Sequence, residues 1–72
     1  MRERSVIVCL PVKGEGRRVW VDRKLVGAAH SLRDLTELLR RAGWEDLDEV
    51  DVAVLPVVEW HGGGPEIWSP GG

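Results

Sequence analysis

Cys9, His30, His61, the carboxylates between Glu45 and Asp51 and the glycine triplet Gly62-Gly63-Gly64 are the residues whose types could do chemistry. A nucleophilic cysteine acts as a thiolate and needs an electropositive, partly solvated setting. Cys9 stands instead within Val6-Ile7-Val8-Cys9-Leu10, where a thiol behaves as a small hydrophobe. Neither histidine has a second His, Cys or carboxylate at a zinc-ligand spacing. The run Glu45, Asp46, Asp48, Glu49, Asp51 offers oxygens for calcium, but Leu47 and Val50 interrupt it and it lacks the central Gly and terminal Glu of an EF-hand loop. A phosphate-cradling glycine loop needs a capped helix after it and a Lys or Ser/Thr beside it; Pro65-Glu66 follows here and brings a negative charge. The expectation is a chain without catalytic residues, metal or cofactor.

Tryptophan and arginine are the other informative residues. The four tryptophans, Trp20, Trp44, Trp60 and Trp68, are the only aromatics in 72 residues, and Trp is the most area-rich side chain for a core or an interface. Arginine outnumbers lysine by eight to two, with no Asn, Gln, Phe or Tyr, which is how coding bias in a GC-rich, bacterial genome looks. Arg17, Arg18, Arg23 and Lys24 around Trp20 combine cations for phosphate with a ring for stacking. The formal net charge of −2 opposes nucleic acid, because a polyanion's field acts on the whole of a small domain.

Charge is bipolar along the chain. Residues 1–24 hold seven Lys or Arg and three Asp or Glu, whereas residues 45–72 hold seven Asp or Glu and no Lys or Arg. The two ends are complementary, within one molecule or between copies. No apolar run approaches the roughly 18 residues of a membrane span, and the opening Met1-Arg2-Glu3-Arg4 lacks a signal peptide's apolar stretch. The reading is cytoplasmic, with no membrane partner.

The elements that would position these residues follow from periodicity. Val6, Val8 and Leu10 alternate with Ile7 and Cys9 as in a strand covered on both sides, and Pro11 limits its ladder. Lys13-Gly14-Glu15-Gly16 forms a turn into residues 17–22, where Val19 and Val21 face one way and Arg18, Trp20 and Asp22 the other. That second strand is expected at a sheet edge, open to augmentation. Asp22-Arg23-Lys24 makes a further turn into Leu25-Val26, ending at Gly27, unless one long bent strand runs through. Ser31 caps a helix with Asp34 in its first turn, Leu32, Leu35, Leu38, Leu39 and Ala42 at helical spacing, and Gly43 as its left-handed stop. Trp44 would then fold back onto Leu39. Val50, Val52 and Val54 alternate as in a strand over residues 50–55, and residues 57–60 continue it or form a separate edge. The order is ββ(β)αβ, a small α+β domain in which one helix packs on a mainly antiparallel sheet. Residues 1–60 form the compact domain; residues 61–72 are a Gly/Pro-rich tail with a Trp anchor.

The run from Asp48 to Val57, the hairpin-then-helix start and the terminal Gly71-Gly72 together resemble the small ubiquitin-like sulfur-carrier proteins of thiamin and molybdopterin synthesis. The resemblance covers roughly the final third of the chain. It implies an acidic turn entering the last strand, and a C-terminal Gly-Gly that is adenylated and converted to a thiocarboxylate.

The leading expectation is a non-enzymatic protein–protein interaction module, a subunit of a larger assembly or a homo-oligomer. A 72-residue chain buries only ~60% of the surface its unfolded form exposes, so its core is small. Trp60 and Trp68 flank a glycine hinge and need a pocket, their own or a partner's. The partner-binding candidates are Trp60, Trp68, Ile67, Trp20, Arg17 and Arg18.

Overall fold

The computed structural model describes residues 4–70. Its first hairpin pairs β1 (Val6–Val12) antiparallel with β2 (Gly16–Val21) across a turn in which Glu15 N donates to Val12 O at 2.9 Å. Gly14 and Gly16 sit at φ of 77° and 72°, left-handed backbone that favours glycine. At Gly16 a Cβ would also stand 2.5 Å from the Ala29 carbonyl oxygen, on backbone that cannot swing aside. Gly16→Ala is therefore expected to cost more than ~1 kcal/mol, read as a drop in urea midpoint at unchanged m-value. Gly14→Ala, with open space around it, carries the backbone term alone.

A second hairpin joins β2 to β3 (Lys24–Ala29), again antiparallel. Asp22 and Arg23 both take positive φ, 49° and 71°, the two-residue left-handed turn whose twist matches a hairpin. Asp22 tolerates this and is tied down: its Oδ1 accepts from Ser5 N at 2.9 Å, its N–H donates to Ser5 O at 2.9 Å, and Arg4 Nε lies 3.7 Å from its Oδ2. The third strand does not stop at Gly27 as expected. Val26 is the extra residue of a bulge, Gly27 pairs with Val19, and the ladder runs on to Arg17↔Ala29.

The helix α1 (Leu32–Arg41) begins and ends as its sequence dictates. Ser31 Oγ accepts from Asp34 N at 3.1 Å, and Asp34 Oδ2 reaches back to His30 N at 3.0 Å. At the other end Gly43 N donates to Arg40 O and Trp44 N to Leu39 O, the paired bonds of a Schellman stop with Gly43 at φ 107°. Trp44 packs against the core, and the Arg4 guanidinium lies 4.1 Å above its ring.

Residues 49–53 correct the reading of a strand at 50–55. They form the short helix α2 (Glu49–Ala53), because Asp48 accepts from Asp51 N at 3.0 Å while Asp51 accepts from Asp48 N at 3.2 Å. This reciprocal capping outweighs the β preference of isolated valines. Val52 is buried, whereas Val50 and Val54, four residues apart on one helical face, are exposed. The last strand is the separate segment β4 (Val58–Trp60), which runs parallel to β1 with Val6↔Val58 and Val8↔Trp60.

The sheet order is β3-β2-β1-β4, with two antiparallel pairings and one parallel. It is the expected small α+β domain. The position of β2 is a correction: it is central, with β1 and β3 on either side, so Arg17, Val19 and Val21 offer no free ladder groups for augmentation. Val6, Val8, Val19, Val21, Ala29 and Val58 form the inner face of the sheet, covered by Leu35 and Leu39 of α1 and Val52 of α2. Leu10, placed by alternation with Val6 and Val8, is exposed, because the register shifts between Val8 and Pro11. Among the described residues no helix is long and apolar enough to cross a membrane.

Candidate functional site

Arg17 shares its parity on β2 with Val19 and Val21, and strand alternation sends its side chain inward with theirs. It is completely buried. Its guanidinium meets the loop that follows β4. Nε donates to Cys9 O at 2.8 Å; Nη1 donates to Gly64 O at 2.9 Å and Ile67 O at 2.7 Å; Nη2 donates to His61 O at 2.8 Å and Gly63 O at 2.9 Å. These five bonds use all five N–H donors of the fork. Burial lowers the Arg17 pKa, with Cys9 and Glu66 acting in the opposite sense. The positive charge is met by carbonyl dipoles, with Glu66 nearby.

Two rings complete the cluster. Trp60 and Trp68 lie 5.4 and 5.5 Å from the Arg17 guanidinium and meet each other edge to face, with centroids 6.2 Å apart at 83°. Trp68 Nε1 donates to Pro65 O at 2.7 Å. Gly62 and Gly63 take positive φ of 79° and 130°, and a Cβ on Gly62 would collide with Leu10, so glycine is required where the loop crosses β1. Main-chain entry is fixed by His61 N donating to Val8 O at 2.9 Å.

Four of the six predicted site residues thus come together, Arg17, Trp60 and Trp68 through their side chains and Ile67 through its carbonyl. With every guanidinium donor engaged, this cluster has nothing left to offer an anion. Gly71 and Gly72, which the carrier resemblance makes functional, lie outside the described residues.

The other two, Trp20 and Arg18, are on the opposite face of the sheet. Trp20 is 37% exposed, and its register partners are Ile7 on β1 and Leu25 on β3, the latter 51% exposed. Glu59 of β4 pairs with Ile7, so one row crosses all four strands as Leu25, Trp20, Ile7 and Glu59. The adjacent row carries Ala28 opposite Arg18, whose Nη2 reaches Glu15 Oε1 at 3.2 Å. Sequence reading missed Ile7 and Leu25, although period-two alternation against the inner valines would have placed Ile7 here. Cys9 is half-buried, and the histidines face single carboxylates, His30 to Asp34 at 3.9 Å and His61 to Glu59 at 3.7 Å. Among the described residues no three His, Cys, Asp or Glu side chains gather as metal ligands.

No protein-family model, curated protein or solved structure matches this chain. The functional reading rests on its own geometry.

Proposed function

We propose that the chain is a non-enzymatic protein-binding module whose recognition surface is the helix-free face of the sheet, centred on Trp20. The observation that carries this reading is the apolar row Leu25, Trp20, Ile7 across three neighbouring strands, with Leu25 and Trp20 exposed and Ile7 half-buried beside them. A tryptophan held by neighbouring strands loses little rotamer freedom on binding, which is what makes such a ring an interface anchor. Arg18 and Glu59 supply a polar rim of both signs. The partner is a protein surface with an apolar depression for the ring. Residues 60–68 support the surface from behind by fixing the strand ends through Arg17.

Affinity capture from the native host with wild-type chain and Trp20→Ala tests this. A protein retained by wild type and by Arg33→Ala, on the exposed face of α1, but lost with Trp20→Ala is the expected result; about 2 kcal/mol of binding is typical for a central Trp. Equal retention by all three overturns it. Retention of nucleic acid alone would favour the basic hairpin, and a C-terminal adenylate or thiocarboxylate in the intact mass would favour a carrier.

A further inference from the structure

The flank of the sheet beyond β3 holds an apolar groove with a cationic rim. Two adjoining clefts of about 410 and 260 Å³ share Val26 and Ala42; the first is lined also by Val21, Asp22 and Lys24, the second by Leu38 and Arg41. Asp22 is engaged with Ser5 and Arg4, which leaves Lys24 and Arg41 as the uncompensated charges. The clefts lie beside the bulge at Val26, next to the point where Gly27 lets the strand approach closely to Leu38 of α1.

The opposite chemistry stands on α2. Val50 and Val54 are 73% and 74% exposed, more than the other large hydrophobics of the described residues. They lie four residues apart on one face, with Glu45, Asp46 and Glu49 just before them in the chain. Val52 points into the core, so the pair faces away from its own domain and cannot reach its own groove. Asp48 and Asp51 are spent on capping, whereas the side chains of Glu45, Asp46 and Glu49 make no hydrogen bond or ion pair among the described residues.

We propose that the chain associates with a second copy of itself, α2 of one molecule seating Val50 and Val54 in the Val26–Leu38–Ala42 groove of the other, with Lys24 and Arg41 facing the α2 carboxylates. The charge asymmetry between the two ends of the sequence is what commits the occupant: the acidic, valine-bearing helix and the basic, apolar groove are complementary and lie on the same chain. The contact leaves the Trp20 face free and stands apart from the protein-binding reading above.

The test is sedimentation equilibrium or light scattering on the full chain. Val50→Lys with Val54→Lys, and separately Lys24→Glu with Arg41→Glu, alter exposed positions, so each double variant should keep the wild-type circular dichroism. Each is expected to weaken self-association by roughly tenfold or more, and wild-type association should weaken as salt rises. Because one variant retains an intact groove and the other an intact α2, an equimolar mixture should recover a one-to-one complex. A wild-type chain that stays monomeric throughout, double variants that associate like wild type, or a mixture that stays monomeric would each overturn the proposal. Association abolished by Trp20→Ala but not by Val50→Lys with Val54→Lys would assign self-contact to the sheet face instead, and would also overturn it.

Discussion

Arg17→Lys is expected to destabilise the fold by about 3 kcal/mol or more, although it keeps the charge and nearly the length of the side chain. Five carbonyl oxygens, from Cys9, His61, Gly63, Gly64 and Ile67, accept from one planar fork. An ammonium has three donors radiating from a single point and cannot reach acceptors spread around a plane, so carbonyls are left unpaired at about 1–3 kcal/mol each where water cannot enter. Arg17→Leu would remove the buried charge but strip all five acceptors of their guanidinium donor, with Gly64 O keeping its bond from Ile67 N at 3.2 Å, and should be at least as damaging. Unfolding in urea, followed by tryptophan fluorescence, measures the loss, and faster amide exchange over residues 61–68 would localise it. The exposed neighbour Arg18→Ala should stay within about 0.5 kcal/mol. If Arg17→Lys behaved like Arg18→Ala, the loop would be held by its rings and not by the guanidinium.

Leu39→Ala is the second large effect. Leu39 is fully buried beneath the sheet, and its carbonyl also receives the Trp44 N–H that closes the Schellman stop. Removing three heavy atoms costs their transfer free energy and leaves a cavity bounded by β-strand valines that cannot collapse, for a total of about 2–5 kcal/mol. A domain of this size has only a few kcal/mol to lose, so the variant should be largely unfolded at 37 °C by circular dichroism. Arg33→Ala, exposed on the same helix, is the matched control at about 0.5 kcal/mol or less. Equal losses in the two variants would mean that α1 does not pack through the Leu35–Leu39 face.

Several features were legible because their cause lies within a few residues. Ser31, Asp34, the leucine spacing and Gly43 define α1 and both its caps, since capping is a contact between near neighbours in sequence. The glycines of residues 13–16 locate the first turn for the same reason. Residues 50–55 read as a strand but fold otherwise because two local signals compete there. Alternating valines suit a strand, but the Asp48–Asp51 pair closes a helical turn, and a turn so closed exposes Val50 and Val54 on one side while burying Val52 on the other. The carrier resemblance drew on that same run, which is helix and turn here; the last strand starts only at Val58.

By itself the sequence determined the helix, the turns, the inward parity of Val19 and Val21 and the α+β class. Tertiary structure alone decided the rest. That β2 is internal follows from β3 pairing along its full length to Arg17↔Ala29, and that β1 is internal follows from β4 adding in parallel beside it, a pairing between segments distant in sequence. That Arg17 is a core residue and not a surface cation required the carbonyls of residues 61–67 to arrive from 44 to 50 residues away. A guanidinium is an outward-facing residue by default, and burying it becomes favourable only when every donor finds an acceptor, a condition that no local pattern encodes. The same assembly drew Trp60 and Trp68 inward onto that cation and left Trp20, on the other face of the strand, as the ring that stays open.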